Sequence, residues 1–220
     1  RSTFEIQDCR DVIINWGDGS PEVTITSTQA VVEHVYAAPT GEYTIWIKQR
    51  NQANSCKFKL DQTSVNSRQI NGSPVLSEIH EWGTIKLSGE IDNFLRRCSH
   101  LHTCPAIPTT FDTSSCTSFR YAFADLSLLN VTASVFANLD TSGAIGAGLS
   151  HTWLGCSLIS GEFPSLPINT GLDQATAIWN GCRSITSMAY TDFSGCGYFA
   201  GLWHGCTNLQ TIPNQMIVDI

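Results

Sequence analysis

Trp153-Leu154-Gly155-Cys156-Ser157-Leu158-Ile159 returns as Trp179-Asn180-Gly181-Cys182-Arg183-Ser184-Ile185 and again as Trp203-His204-Gly205-Cys206-Thr207-Asn208-Leu209. Two earlier segments keep the form in weaker lettering, Leu95-Arg96-Arg97-Cys98-Ser99-His100-Leu101 and Phe123-Ala124-Asp125-Leu126-Ser127-Leu128-Leu129. Each has a large apolar residue, two variable residues, Cys or Leu, two more variable residues, then Leu or Ile. Aligned on the fourth position, the steps run 98 to 126, 126 to 156, 156 to 182 and 182 to 206, or 28, 30, 26 and 24 residues. A period in the twenties predicts a solenoid, because each coil must bring the chain back to the same place one layer along.

The repeat governs the reading of the nine cysteines. Cys98, Cys156, Cys182 and Cys206 share one place in successive coils, where small apolar side chains fill a narrow interior column. Coils ~4.8 Å apart on a strand would bring these residues near enough for a bridge. Side chains pointing the same way, however, meet with poor disulfide geometry. Free, buried thiols are therefore expected. Cys116 and Cys196 each stand seven residues before their coil's aromatic, too many coils apart to meet, which leaves Cys9 and Cys56 as the pair best placed for a disulfide.

Within each coil, Phe119 with Phe123, Leu149 with Trp153, Ala175 with Trp179 and Phe199 with Trp203 stand at i, i+4, which predicts a short helical turn leading into the aromatic. Prolines 105, 108, 164, 167 and 213 mark the turns that follow. The returns are rich in Thr, Ser, Asp and Asn: Phe111-Asp112-Thr113-Ser114-Ser115, Leu139-Asp140-Thr141-Ser142-Gly143 and Ile168-Asn169-Thr170-Gly171. Their side chains are expected to hydrogen-bond the backbone of adjacent coils.

Residues 1–62 do not share the repeat. Val12, Ile14 and Trp16 alternate with Ile13 and Asn15, and Tyr43, Ile45 and Ile47 with Thr44 and Trp46, which is strand periodicity. Strands are expected at Thr3 to Ile6, Asp11 to Trp16, Glu22 to Thr26, Val31 to Tyr36, Glu42 to Lys48 and Lys57 to Leu60, in a small antiparallel sandwich. The linker and cap, residues 63–93, hold apolar residues at Val75, Leu76, Ile79 and Trp82. That spacing predicts a short amphipathic helix ended by Gly83, and Ile85 and Leu87 then alternate as a first strand. This segment is expected to shield the open end of the solenoid, residues 94–220.

Asn15-Trp16-Gly17-Asp18-Gly19-Ser20, followed by His34-Val35-Tyr36 and Gly41-Glu42-Tyr43-Thr44-Ile45, resembles the polycystic-kidney-disease (PKD) domain. The resemblance implies an immunoglobulin-like β-sandwich acting as an extracellular spacer or interaction module. The W-x-G-C-x-x-L unit with its D-T-S returns resembles the BspA-like leucine-rich repeats of bacterial-surface and bacteriophage-particle proteins over roughly residues 75–213. It implies display on an outer surface and contact with another macromolecule, without catalytic residues. The expected fold class is mainly β with short helices, an immunoglobulin-like sandwich followed by a short leucine-rich-repeat-type solenoid.

Composition narrows the partners. A net charge of −7 and a pI near 5.2 argue against nucleic acid or an anionic membrane. No apolar run reaches the ~20 residues of a membrane-spanning helix. Arg1 is not an initiator Met and no secretion signal follows it, so the compartment is not read from a leader.

Reactive constellations are weighed one by one. Cys98, His100, His102 and Cys104 stand at steps of two, but ligands on one strand do not surround a zinc ion. Asp8, Asp11 and Asp18 lack the D-x-D-x-D-G order of a calcium loop, so Asp18 is expected to accept N–H bonds within its own turn. His34 is read as a packed histidine. Gly143 to Gly148 lacks the order of a phosphate-binding loop and is read as a flexible return. Glu78, Glu81, Glu90, Asp92 and Glu162 form no pair fixed by the repeat, as a glycosidase would need. Tyr121, Tyr190 and Tyr198 are candidates to stack on sugar rings, but most are expected simply to pack between coils.

The resulting expectation is a non-enzymatic recognition or adhesion protein on a bacterial surface or phage particle. Its partner is a protein or a cell-surface glycan, bound multivalently, with no cofactor, metal, nucleic acid or membrane insertion. A structural virion decoration or assembly subunit is the alternative, and a carbohydrate-active enzyme a lesser one.

Overall fold

The computed structural model describes residues 2–7, 12–26, 29–34, 43–50, 57–59 and 76–218, and over these the protein is mainly β with almost no helix. The alternating apolar residues of the N-terminal part form two antiparallel sheets. In one, Ser2–Gln7 (β1) lies between Gln29–His34 (β4) and Lys57–Lys59 (β6). In the other, Val12–Asn15 (β2) lies between Val23–Ile25 (β3) and Trp46–Gln49 (β5). Val12, Ile14, Trp16, Ile25 and Val32 are buried as the period-two pattern requires.

The last of the expected long strands starts late, at Trp46 rather than Glu42. Its beginning packs against the turn after β2. Gly17 has φ +74°, and a Cβ there would collide with the carbonyl of Thr44, so glycine alone lets the two backbones touch. The fourth strand runs Gln29–His34, two residues earlier than expected. The proposed Cys9–Cys56 bridge, together with Asp8, Asp11, Tyr36 and Val75, lies outside the described residues.

Leu76 to Trp82 is not helical. Ile79 N–H donates to the Thr103 carbonyl at 3.1 Å and His102 N–H to that of Ser77 at 3.0 Å, leaving Glu78 in a parallel bridge with Thr103. Backbone groups that a helix would pair internally are taken by the first repeat instead. Trp82 is buried and its Nε1–H donates to the Pro105 carbonyl at 2.8 Å. Lys86–Glu90 (β7) follows as expected, parallel to Asp112–Ser118 (β8). The Lys86 N–H donates to Oε1 of the buried Gln49, tying β7 to the N-terminal sheets.

From residue 91 onward, equivalent segments lie side by side. The N–H groups of Leu95, Phe123, Trp153 and Trp179 each donate to the next repeat, to the carbonyls of Ala122, Thr152, Ile178 and Leu202 at 2.6–3.0 Å. Residues two before and two after bond in the same way: Asn93 to Arg120 and Arg97 to Ala124, His151 to Thr176 and Gly155 to Asn180, Ala177 to Ala200 and Gly181 to His204.

These segments are not helical turns. The residues two before and two after each aromatic have positive φ: Tyr121 (57°) and Asp125 (60°), His151 (62°) and Gly155 (75°), Ala177 (49°) and Gly181 (77°), Gly201 (58°) and Gly205 (75°). A left-handed residue at every fourth position is incompatible with a right-handed helix. It turns alternate N–H groups outward to the neighbouring repeat, while the others close local bonds such as Cys156 N–H to the Trp153 carbonyl. The Gly of W-x-G-C meets this φ requirement, and Gly181 and Gly205 pack directly over Gly155 and Gly181.

Gly161–Phe163 (β9) pairs with Ile185–Met188 (β11), and Gln174–Thr176 (β10) with Tyr198–Ala200 (β12), both in parallel. The long return between Leu129 and Trp153 holds a 3-10 turn at Ala133–Phe136, and the last described residues form Asn214–Val218 (α1).

Candidate functional site

What the repeat leaves free for chemistry is decided by its interior. The indoles of Trp153 and Trp179 stack at 6.4 Å with planes 8° apart, and those of Trp179 and Trp203 at 6.4 Å and 4°. Phe123 continues the column at 5.8 Å from Trp153. A second file of rings, Phe136, Phe163 and Phe193, meets the first edge-on, with Phe163 4.8 Å from Trp153 and 5.4 Å from Trp179. Centroid distances of ~4.5–7 Å are those of favourable aromatic pairs.

Beside the indoles run the thiols. The Sγ–H of Cys156, Cys182 and Cys206 donates to the carbonyl of the preceding repeat's aromatic, Phe123, Trp153 and Trp179, at 2.9, 3.1 and 3.0 Å. Burial pushes the thiols up, to about 12 for Cys116 and Cys156, to about 11 for Cys104, Cys196 and Cys206, and well above the ordinary value for Cys182. None of the seven described cysteines is in a disulfide. The six whose thiols are raised are protonated at neutral pH, and five of the seven are buried, the opposite of what a nucleophilic cysteine needs.

The returns bond across repeats as their composition suggests. Thr113 and Thr141, both buried, donate to the carbonyls of Asp140 and Pro167, and Asn169 Nδ2–H to that of Ser142. Asp112, Asp140, Asn169 and Asp192 each accept the N–H two residues on. The Ser114 hydroxyl holds Asp112, and the Ser194 backbone N–H holds Asp192, below the usual carboxylate range.

The remaining candidates disperse. Cys98 and Cys104 are buried, whereas the exposed His102 bonds Glu78 at 3.0 Å. Among the described residues no three His, Cys, Asp or Glu converge on a point a metal could occupy. Asp18 accepts the Ser20 N–H and hydroxyl and sits 2.7 Å from His34 Nε2, and the Ser20 hydroxyl and His34 lower it to about 2. His34 stacks on Trp16 at 4.7 Å and 9°, packed as expected. Asp92 accepts the Ser118 hydroxyl and the Arg120 N–H, while Glu81, Glu90 and Glu162 are exposed on three separate segments.

The glycine-rich return is not a flexible loop. A Cβ at Gly143 would lie 2.5 Å from the Cys116 carbonyl oxygen, and one at Gly148 2.7 Å from that of Thr117. Gly146 donates to Gly171 and its carbonyl takes the N–H groups of Asp173 and Gln174. Gly143 and Gly148 are glycine because neighbouring backbones come too close for a side chain, and Gly146 because its φ is +59°.

One surface feature escapes repeat-based reading. The Arg96 guanidinium lies 4.3 Å over one face of Tyr121, and the His151 ring stacks on Tyr121 at 4.7 Å. Tyr121 and His151 occupy the left-handed position two before the aromatic, so the repeat turns their side chains out of the interior. Burial, then Arg120 and Arg96, lowers the His151 pKa. Arg96 Nε, Ser150 Oγ and His151 Nδ1 are enclosed without a hydrogen-bond partner, and Arg97 faces Asp125 at 3.7 Å beside them. The signal was present as Arg96, Tyr121 and His151 at related repeat positions, masked by weak lettering in the first two repeats. Tyr198 and Tyr190 are exposed elsewhere, as is Trp46.

No protein-family model, curated protein or solved structure matches the chain.

Proposed function

We propose that the chain is a non-enzymatic recognition protein displayed on a bacterial surface or phage particle, in which a PKD-like, immunoglobulin-like sandwich (residues 1–62) spaces a BspA-like leucine-rich-repeat solenoid (residues 94–220) from its anchor. The observation that carries this reading is the Arg96–Tyr121–His151 stack. Side chains of cation, ring and imidazole stand one repeat apart on the outside of a framework whose thiols and indoles are consumed by packing. The left-handed backbone at Tyr121 and His151 is set by the bonding between repeats, as at Asp125 and Ala177, and it carries the two half-buried rings out of the interior. Tyr121 is covered by Arg96 and His151, so the stack offers ring edges and a cationic rim, rather than a ring face, to a polar partner such as a glycan or a peptide side chain.

Each contact is weak, and copy number supplies the avidity. No helix of the described residues is long and apolar enough to cross a membrane. The test is a multimerised form of the chain offered to whole bacterial cells and polysaccharide arrays, with a Tyr121→Ala/His151→Ala form as control. Enrichment lost in the control supports recognition through this face; absence of enrichment on any surface overturns it. Turnover of glycans by the purified chain would move the assignment to an enzyme.

A further inference from the structure

We infer that the rim of the Arg96–Tyr121–His151 stack binds the oxyanion, carboxylate or phosphate, of an acidic saccharide. The inference rests on the recognition reading above and names the class of partner that this face takes.

Cations are scarce in the repeats. Residues 91–220 contain Arg96, Arg97, Arg120 and Arg183 as their Arg and Lys side chains, and the first three belong to the segments that carry the stack. Arg97 is paired with Asp125 at 3.7 Å. The charges of Arg96 and Arg120 are not offset in this way. Arg96 Nη1 donates to the neutral amide of Asn93 at 3.0 Å, and no carboxylate of the described residues forms an ion pair with either arginine. Asp92 gives its Oδ1 to the Ser118 hydroxyl and the Arg120 backbone N–H instead.

The stack leaves donors open to solvent. Arg96 Nε and His151 Nδ1 are enclosed, whereas Arg96 Nη2 and His151 Nε2 are neither enclosed nor hydrogen-bonded, and Arg120 is exposed. Arg96 at 4.3 Å and His151 at 4.7 Å cover the Tyr121 ring, so a neutral sugar has no ring face to lie on. What remains is a set of N–H groups bearing positive charge, the complement of an oxyanion.

The surroundings select the carrier of that oxyanion. At a net charge of −7 the chain repels a polyanion such as nucleic acid, so the ligand brings isolated charges. An acidic peptide would need an apolar anchor or a free backbone edge. None of the exposed large apolar side chains belongs to this face, and the N–H groups of Asn93, Tyr121 and His151 are spent on the next repeat. Asn93, Asp92 and the Arg97–Asp125 pair instead offer donors and acceptors to the hydroxyl groups of a sugar.

Burial, then Arg120 and Arg96, lowers the His151 pKa, so the ring is neutral near pH 7. A bound oxyanion opposes the two arginine contributions, and binding therefore takes up a proton. Arg96, Arg97, Arg120, Tyr121, Asp92 and Asp125 are the charged and titratable groups around the ring. Of these residue types histidine alone ordinarily changes charge between about pH 5 and 8. Affinity for a carboxylate should rise as pH falls through that range.

The test is titration of isotope-labelled protein, at constant ionic strength, with glucuronate, glucose 6-phosphate, glucose and the amide of N-acetylglutamate. At least one acidic sugar is expected to shift the side-chain resonances of Arg96 and His151 and to saturate at millimolar concentration, and the tighter of the two assigns the oxyanion. Glucose should not shift them. Arg96→Gln should weaken binding about tenfold. Arg120→Gln, at an exposed side chain, should weaken it too and keeps the test valid if the Arg96 form is unstable. No shift with either acidic sugar, equal shifts with glucose, equal binding of the glutamate derivative, or unchanged binding in Arg120→Gln would each overturn the inference. Enrichment of the multimerised chain on cells despite such a result would leave the recognition reading standing. Acidic-sugar shifts without enrichment would support the site and overturn the display reading alone.

Discussion

The thiol of Cys182 reaches back one repeat and donates to the carbonyl oxygen of Trp153 at 3.1 Å, while the indole of its own repeat, Trp179, lies parallel to that of Trp153. One backbone segment thus receives a ring contact and a thiol hydrogen bond from the same neighbour. Such S–H···O bonds are individually weak. Repeated at Cys156 and Cys206, they fix the register in which the aromatic column can form.

Protonated, enclosed thiols are unreactive. Under native conditions at about pH 8, Cys98, Cys104, Cys116, Cys156 and Cys182 should resist alkylation, and the half-buried Cys196 and Cys206 should react slowly. All should react in denaturant. Peptide mapping after iodoacetamide treatment gives the order, and rapid native labelling of Cys156 or Cys182 would show that the column is open.

Trp179 touches Trp153, Trp203, Phe163 and Phe193 and is fully buried. Trp179→Ala should cost about 3–5 kcal/mol in denaturant unfolding. Trp203→Ala should cost clearly less, because its outer side has no ring against it.

Two glycines in one return separate crowding from backbone strain. Gly143→Ala places a methyl 2.5 Å from a carbonyl oxygen and forces two repeats apart, whereas Gly146→Ala meets nothing within 4 Å and bears only its φ of +59°. Gly146→Ala should cost about 1–2 kcal/mol and Gly143→Ala more. Paired thermal melts decide the order.

Asp18 in the folded chain titrates at about 2, held down by the Ser20 hydroxyl and His34, against roughly 4 when unfolded. A depressed carboxyl stabilises the fold fully above the unfolded value, and this contribution is lost as pH falls towards the folded one. Wild-type stability should therefore decline between about pH 4 and pH 2, and Asp18→Asn should flatten that slope while lowering stability at about pH 5–7, where the contribution is fully present. An unchanged slope would remove Asp18 from the turn's hydrogen bonding.

His151→Gly relieves left-handed strain of about 1–2 kcal/mol and gives up a ring contact of about 0.5–1.5 kcal/mol. Stability should change by no more than about 1.5 kcal/mol, while binding through the Tyr121 face should be lost. A large loss of stability would make His151 a packing residue.

The parts of the fold readable in the sequence were those where one residue type meets one requirement. Trp, Gly and Cys recur because the interior ring, the left-handed turn and the thiol donor each admit few alternatives. Asp125 and Arg97 hold the same left-handed place with neither Gly nor Asn, so the first two repeats read weakly although their backbones bond like the rest. The Leu76 to Trp82 segment carried helical spacing, but its partner was a repeat edge some 25 residues on, beyond any local pattern. The Phe136–Phe163–Phe193 file keeps the period of the repeat but was missed because its rings come from a 3-10 turn, a strand and a loop with no shared lettering around them. The Arg96–Tyr121–His151 stack needs the repeat register before its members can be seen as neighbours.

Residue-resolved amide hydrogen exchange tests the stacked framework most directly. The ladder donors Phe123, Trp153, Gly155, Trp179 and Gly181 should exchange last and together, at the rate of global unfolding, with Gly201, Trp203 and Gly205 much faster. Fast or unrelated exchange at Trp153 and Trp179 would contradict it, and the view of the repeats as an inert support for a binding face would fall with it.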